Sequence, residues 1–252
     1  MKKKVLSIIL ALVMVAGMVP FGAITAFAAE EEPALEFLDY LDVGAGAYID
    51  TGVIPTSDTR VVMDVYVNGA KEYWFGMWDN DYNLGAFAFG NDGYGVYAGY
   101  ANNGGTFGSV VTTGCHTVEL DKGKVKVDGN AVCVWSQAEF SLDHALYLFA
   151  QNRVGNAVTH GEQNTIHCYG CEIYQGDTLV RKFVPGKNND GISGLLDVVN
   201  GVFYDNQYEN KEHYAGMDVW YHDGVETISN HPTCLENGHS TYYKKSGKYY
   251  KD

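Results

Sequence analysis

The chain has 252 residues, of which 31 are acidic and 17 are basic, so its formal net charge is −14. This charge argues against nucleic acid and anionic membranes as partners, because binding to phosphates needs clustered Lys and Arg. The length allows one large core, or one core with a small appendage.

A secretory leader is predicted at the amino terminus. Lys2-Lys3-Lys4 precedes an apolar run from Val5 to Val19. Pro20 and Gly22 interrupt the run before Ala26-Phe27-Ala28, a small-x-small cleavage pattern that favours a signal peptide (residues 1–28) over the alternative, a membrane anchor. We therefore expect a secreted, extracellular protein, including the option of cell-surface association, with no membrane span after cleavage. Cleavage removes three lysines and no acids, so the net charge of −14 becomes −17.

Short segments with a period of two residues dominate the rest of the chain. In the clearest one, Val61, Met63 and Val65 alternate with the residues between them. Gly, Asn and Asp separate the segments, as in the hairpin turn predicted at Asp128-Gly129. Residues 138–145 are the one segment in which the pattern allows a short helix. The pattern predicts an all-β sandwich or barrel.

An aromatic segment, EYWFGMW, is the best candidate for a binding site. If it is extended, Trp74 and Trp78 share one face, and Asp79 and Asp81 follow at its end. Sugars stack their apolar faces on aromatic rings, while nearby carboxylates and amides bond their hydroxyl groups. Tyr94, in a glycine-rich stretch further on, completes the predicted ligand-binding set. The alternative, that both indoles fill the interior of the fold, stays open.

No cofactor is predicted, although one segment resembles a calcium-binding loop. The segment Asp79–Asn83 alternates oxygen-bearing side chains as a calcium loop does, but Leu84 and Gly90 stand where an EF-hand requires Gly and Glu. The segment is therefore not an EF-hand. An ordinary polar loop is the favoured interpretation, calcium bound in another geometry is the alternative, and no metal ligands are assigned.

One short motif matches part of a glycosidase signature. Some glycosidases carry Glu-x-Asp-x-x-Glu on one strand, because alternate residues share a face and two carboxyl groups must flank the glycosidic bond. Glu119 and Asp121 supply the first two positions, but Lys124 occupies the third. A strand Glu followed by a turn is the favoured interpretation, so no catalytic residue is predicted.

Cys168 and Cys171 form a C-x-x-C pair, which can indicate zinc or redox chemistry. Residues three apart in a strand face opposite ways, so the pair cannot share a metal without a bulge at Gly170. Two small apolar strand residues are the favoured interpretation. The chain has five cysteines, and their pairing does not follow from the sequence: Cys115, Cys133, Cys168, Cys171 and Cys234.

Two hairpins are predicted near the end of the β-rich region. Residues Cys171–Tyr174 and Thr178–Val184 are joined by Gln175-Gly176-Asp177. Two further runs meet at Asn200-Gly201, and an Asn-Gly pair between apolar runs predicts a type I′ turn, in which both residues have positive φ.

Four segments occur in order and with characteristic spacing: Ala47–Val65, Thr112–Gly129, Leu146–Asn152 and Cys171–Tyr204. Together they resemble the laminin-G-like, concanavalin-A-like domains of bacterial surface proteins, and the match covers Leu35 to Tyr204. The resemblance implies an antiparallel two-sheet jelly-roll sandwich over residues 35–208, which usually binds glycans or other surface ligands and can hold calcium near one rim.

Residues 209–252 form a polar tail. Within it, His231–Asp252 resembles a short cysteine-containing repeat that often follows such domains, but Lys244-Lys245-Ser246 stands where the repeat has a cysteine pair. The tail is therefore predicted to be a degenerate remnant of the repeat, and a basic patch that binds the cell wall is the second interpretation.

The leading functional prediction is a non-catalytic extracellular module that binds carbohydrate or another host or cell-surface ligand. A structural or adhesive protein that binds a protein partner is the alternative, and a glycoside hydrolase is the third hypothesis. The incomplete carboxylate motif is the main reason to rank binding above hydrolysis.

Overall fold

The computed structural model describes residues 36–38, 40–43, 46–67, 72–79, 86–158, 166–205, 242–245 and 248–251. The predicted leader and most of the tail lie outside these ranges. Within them no residue is helical, so no helix there has the length and apolar character needed to cross a membrane. The strands in chain order are β1 (Glu36–Phe37), β2 (Leu41–Val43), β3 (Ile49–Asp50), β4 (Thr59–Val67), β5 (Glu72–Trp78), β6 (Ala86–Asn91), β7 (Val96–Ala101), β8 (Asn103–Phe107), β9 (Gly114–Asp121), β10 (Lys124–Val127), β11 (Asn130–Val134), β12 (Tyr147–Leu148), β13 (Gln151–Arg153), β14 (Asn156–Val158), β15 (Ile166–Gln175), β16 (Thr178–Lys187), β17 (Ser193–Asp197), β18 (Val202–Asp205), β19 (Tyr242–Lys245) and β20 (Lys248–Lys251).

Two large sheets contain all but the last two strands. The first sheet has the order β11-β10-β9-β4-β15-β16-β17-β18, with β2 also paired to β15 and β1 to β16. The second has the order β14-β13-β5-β6-β7-β8, with β12 paired to β3 and β5. Neighbouring strands are antiparallel, except that β13 meets β5 in parallel at Asn152 and Met77. β19 and β20 form a separate antiparallel pair inside the predicted repeat remnant.

The hydrophobic core contains side chains from both sheets. The alternation predicted for β4 is present: Val61, Met63 and Val65 are fully buried, and the residues between them are half-buried. They belong to the same cluster as Phe75 of β5 and Phe87 of β6. The predicted all-β fold is thus confirmed as two sheets packed in a sandwich-like arrangement.

The predicted hairpins form, but one turn has an unexpected geometry. Asp128-Gly129 joins β10 to β11 with φ of 51° and 75°, as a type I′ turn requires. At the second site, Asp197 pairs with Val202, so the loop has four residues and Gly201 has positive φ there while Asn200 does not. The Asn200 amide instead donates to the Val180 carbonyl oxygen at 3.0 Å and to the Asp197 carboxylate at 2.6 Å. The type I′ prediction is therefore wrong at this turn.

Two further segments depart from the simple strand pattern. Residues 138–145 are irregular rather than helical. In β15, a bulge between Cys168 and Gly170 brings both Cys168 and Cys171 into the core. Burial raises the pKa of the Cys168 thiol to about 12 and raises the pKa of Cys171 as well, so both remain uncharged thiols.

Candidate functional site

A β-bulge in β5 separates the two tryptophans of the aromatic segment. The register with β6 shifts between Tyr73 and Phe75, so Trp74 is the extra residue. Beyond the bulge, side chains again alternate between the two faces of the sheet, but the pattern is shifted by one residue. Trp74 therefore joins Phe75 in the core, whereas Trp78 belongs to a separate cluster with small residues of β6. The prediction that Trp74 and Trp78 share one face is wrong.

Trp74 is a core residue. Its side chain has no solvent-exposed surface, and its ring meets that of Phe89 edge to face at a centroid distance of 4.9 Å. A ligand cannot reach a ring in this position without opening the sandwich. We therefore exclude Trp74 from the candidate site.

Trp78 lies directly on the neighbouring strands because those strands carry glycine. A Cβ atom at Gly99 would lie 2.7 Å from Cζ3 of the indole, and one at Gly104 would lie 2.6 Å from Cη2. The Tyr97 ring lies beside the indole, with centroids 5.6 Å apart and planes 25° apart. The centroid of the Tyr73 ring lies 5.7 Å from that of the Tyr97 ring. We call Tyr73, Tyr97 and Trp78 the aromatic row.

A cavity of about 400 Å³ lies beside the aromatic row. Asn102, Asn103 and Arg153 supply its polar side chains, and small residues of β6, β7 and β8 complete the lining. Small-molecule sites commonly have volumes of roughly 300–1,000 Å³, with aromatic walls and a few polar groups. This β5–β8 cavity can therefore accommodate a small ligand that has apolar faces and polar edges.

Of the predicted binding residues, Trp78 lines the cavity. Asp79 directly follows β5 but is not among the lining residues, and Asp81 lies outside the described residues. Tyr94 is 88% exposed in the turn before β7 and does not line the cavity either. Tyr97 of β7 lines the cavity instead, and it is the one residue of that strand that is half-buried rather than buried.

Arg153 reaches the cavity from β13, which pairs with β5. Its Nε and Nη2 atoms donate hydrogen bonds to Oε1 of Gln151, at 3.2 and 3.0 Å. Gln151 is fully buried, and it packs closely over Gly76, where a Cβ atom would lie 2.8 Å from the Gln151 Cγ. A rigid neighbour thus orients the guanidinium group. Sequence patterns give no sign of Arg153, because its position depends on pairing between strands far apart in the chain.

Glu72, at the start of β5, is a buried acid that directly precedes Tyr73 in the chain. Its side chain is 2% exposed, and neither carboxyl oxygen has a hydrogen-bond partner among the described residues. Burial raises the pKa of this carboxyl group from 4.5 to about 8, because desolvation disfavours the charged form. Glu72 is therefore mostly protonated at neutral pH.

The glycosidase-like motif lies in the first sheet and does not reach the cavity. Glu119 forms ion pairs with Lys126 at 3.0 Å and with Arg60 at 3.9 Å. Asp121 ends β9, and the chain turns before β10 begins at Lys124, as the sequence predicts. The ion pairs link Glu119 of β9 to β10 and to β4, so Glu119 has a structural role.

The described residues contain no group of three or more His, Cys, Asp or Glu side chains placed to hold a metal ion. The segment that resembles a calcium loop lies almost entirely outside the described ranges. Among the cysteines, Cys133, Cys168 and Cys171 are free thiols and Cys115 is disulfide-bonded. Cys234 lies outside the described residues.

A comparison with protein-family models found no match, and neither did a comparison with curated proteins. The fold and the β5–β8 cavity are therefore the features that bear on function. Together they define a β-sandwich with an aromatic-lined cavity on one sheet.

Proposed function

We propose that this protein is an extracellular, non-catalytic module that binds carbohydrate in the β5–β8 cavity. The observation that carries the proposal is the aromatic row beside a cavity of about 400 Å³ with amide and guanidinium groups on its wall. Tyr97, which is half-buried, can offer part of its ring to the C–H face of a sugar, whereas Tyr73 and Trp78 are buried and form the wall behind it. Asn102 and Asn103 offer both donors and acceptors for sugar hydroxyl groups.

The glycine residues under Trp78 support this proposal. Glycine in a strand interior weakens the strand, and it often marks a place where a ligand or another chain approaches the backbone closely. Here Gly99 and Gly104 let the indole lie against β7 and β8 beside the cavity. The glycines thus let the Trp78 ring lie close to the sheet and form one wall of the cavity.

The finer fold proposal is a laminin-G-like jelly roll. It is supported by the repeated passage of the chain between the sheets: β4 lies in the first, β5 to β8 in the second, β9 to β11 in the first, β12 to β14 in the second and β15 to β18 in the first. The leader-like amino terminus supports secretion. An experimental structure that reproduces this strand order would support the topology. Amino-terminal sequencing of protein from the culture medium would test the cleavage site.

Binding is favoured over hydrolysis because the described lining residues include no Asp or Glu, whereas glycosidases generally place two carboxyl groups across the scissile bond. A structural or adhesive protein that contacts a protein partner is the alternative. A glycan array run beside a pull-down from host or bacterial surface extracts separates the two hypotheses.

The proposal is tested with the purified protein on a glycan array, followed by calorimetry on the glycans that bind. Tyr97→Ala should weaken binding by tenfold or more, because one aromatic contact is lost. Gly104→Ala should weaken it comparably, because the new Cβ atom displaces the Trp78 ring. The matched control is Tyr94→Ala, an exposed tyrosine outside the cavity, which should bind normally.

Two results would refute the proposal. One is a chain that binds no glycan but captures a defined protein partner. The other is a Tyr97→Ala variant that folds normally and binds a glycan as tightly as the wild type.

A further inference from the structure

Arg153 differs from the other two arginines of the chain in its partner. Arg60 lies 3.9 Å from the Glu119 carboxylate, and Arg181 lies 3.5 Å from that of Asp197. Arg153 instead donates to the neutral amide of Gln151, and no carboxylate of the described residues lies within ion-pair distance of it. Arg153 is thus the one arginine with no acidic partner among the described residues, although the chain has 31 acidic residues.

The bonds to Gln151 leave the other edge of the guanidinium group available. Nε and one hydrogen of Nη2 are used, while Nη1 and the second hydrogen of Nη2 have no hydrogen-bond partner among the described residues. Arginine presents its donors as a planar fork that matches a carboxylate, often through two parallel hydrogen bonds. Arg153 is also the one charged side chain among the described residues that line the cavity.

From this geometry we propose that the cavity selects acidic saccharides, with the carboxylate of a uronic or sialic acid residue on Arg153 and the sugar ring against Tyr97. This inference rests on the proposed carbohydrate-binding function. The overall negative charge of the protein repels anionic ligands at long range. A preference for an acidic sugar must therefore come from the cavity itself, and Gln151 acts as the positioning residue for the fork.

The test uses matched ligand pairs and isothermal calorimetry: trigalacturonic acid with its methyl ester, a hyaluronan tetrasaccharide with its methyl ester, and sialyllactose with lactose. For at least one pair, the wild type should bind the acidic member tenfold or more tightly than the neutral one. Arg153→Gln should abolish that preference, and Arg153→Lys should restore only part of it, because a lysine lacks the fork. Arg60→Gln, on the first sheet, is the matched control and should keep the full preference.

The outcomes separate this inference from the proposed function. Equal binding of acidic and neutral members that is lost in Tyr97→Ala overturns the acidic preference and leaves carbohydrate binding standing. A preference that persists in Arg153→Gln overturns the role of Arg153. Absence of binding to every acidic and neutral glycan, on the array and in these pairs, refutes both proposals.

Discussion

Replacing Glu72 with Gln should change the pH dependence of stability. In the native state the carboxyl group is 2% exposed, its oxygens have no hydrogen-bond partner among the described residues, and its pKa is about 8. Glutamine has nearly the same shape and stays neutral at every pH. The substitution therefore removes the cost of ionising a buried carboxyl group and little else.

The expected magnitude follows from the pKa shift. Below pH 4.5 the carboxyl group is protonated in both folded and unfolded chains, so it contributes no pH-dependent penalty. Between pH 4.5 and about 8 the folded state retains a proton that the unfolded state has lost, so stability falls as the pH rises. Each unit of pKa shift corresponds to about 1.4 kcal/mol, which gives at most about 5 kcal/mol above pH 8.

Urea unfolding at one-unit steps from pH 5 to pH 9 measures this effect. The free energy of unfolding of Glu72→Gln, minus that of the wild type, should rise steadily from pH 5 to pH 8 and then level off. Asp190→Asn, which changes an exposed loop acid, is the matched control and should show no such rise. A difference between Glu72→Gln and the wild type that stays constant across this range would refute the reasoning.

Two further predictions follow from burial. Trp74→Ala should cost about 3–5 kcal/mol of stability, measured by urea unfolding, because it leaves a cavity in the core; a variant with unchanged stability would contradict the core position of Trp74. Iodoacetamide applied to the native protein and followed by peptide mass spectrometry should label the half-buried Cys133 and leave Cys168 and Cys171 protected until unfolding. Equal labelling of all three thiols would show that the β15 bulge does not bury the pair.

Local sequence patterns were sufficient to predict the strands that have one face in the core and the other face only half-buried. β4 alternates between core and half-buried positions along its whole length, so Val61 and Val65 could be assigned to the core from the sequence. Asp128-Gly129 was equally predictable, because a type I′ turn is specified by its two residues. Asn200-Gly201 was not, because contacts of Asn200 with Val180 and Asp197 favour a longer loop.

The candidate site was predictable in composition but not in arrangement. The sequence by itself determined the all-β class, the main hairpins and an aromatic-rich segment, because period-two alternation and turn chemistry depend on neighbouring residues. The tertiary structure decided which aromatic rings face the cavity. Pairing with β6 creates the bulge that sends Trp74 inward and leaves Trp78 at the cavity, and pairing of β13 with β5 brings Arg153 beside it. Strand register and long-range pairing are properties of the assembled sheet, so no single segment encodes them.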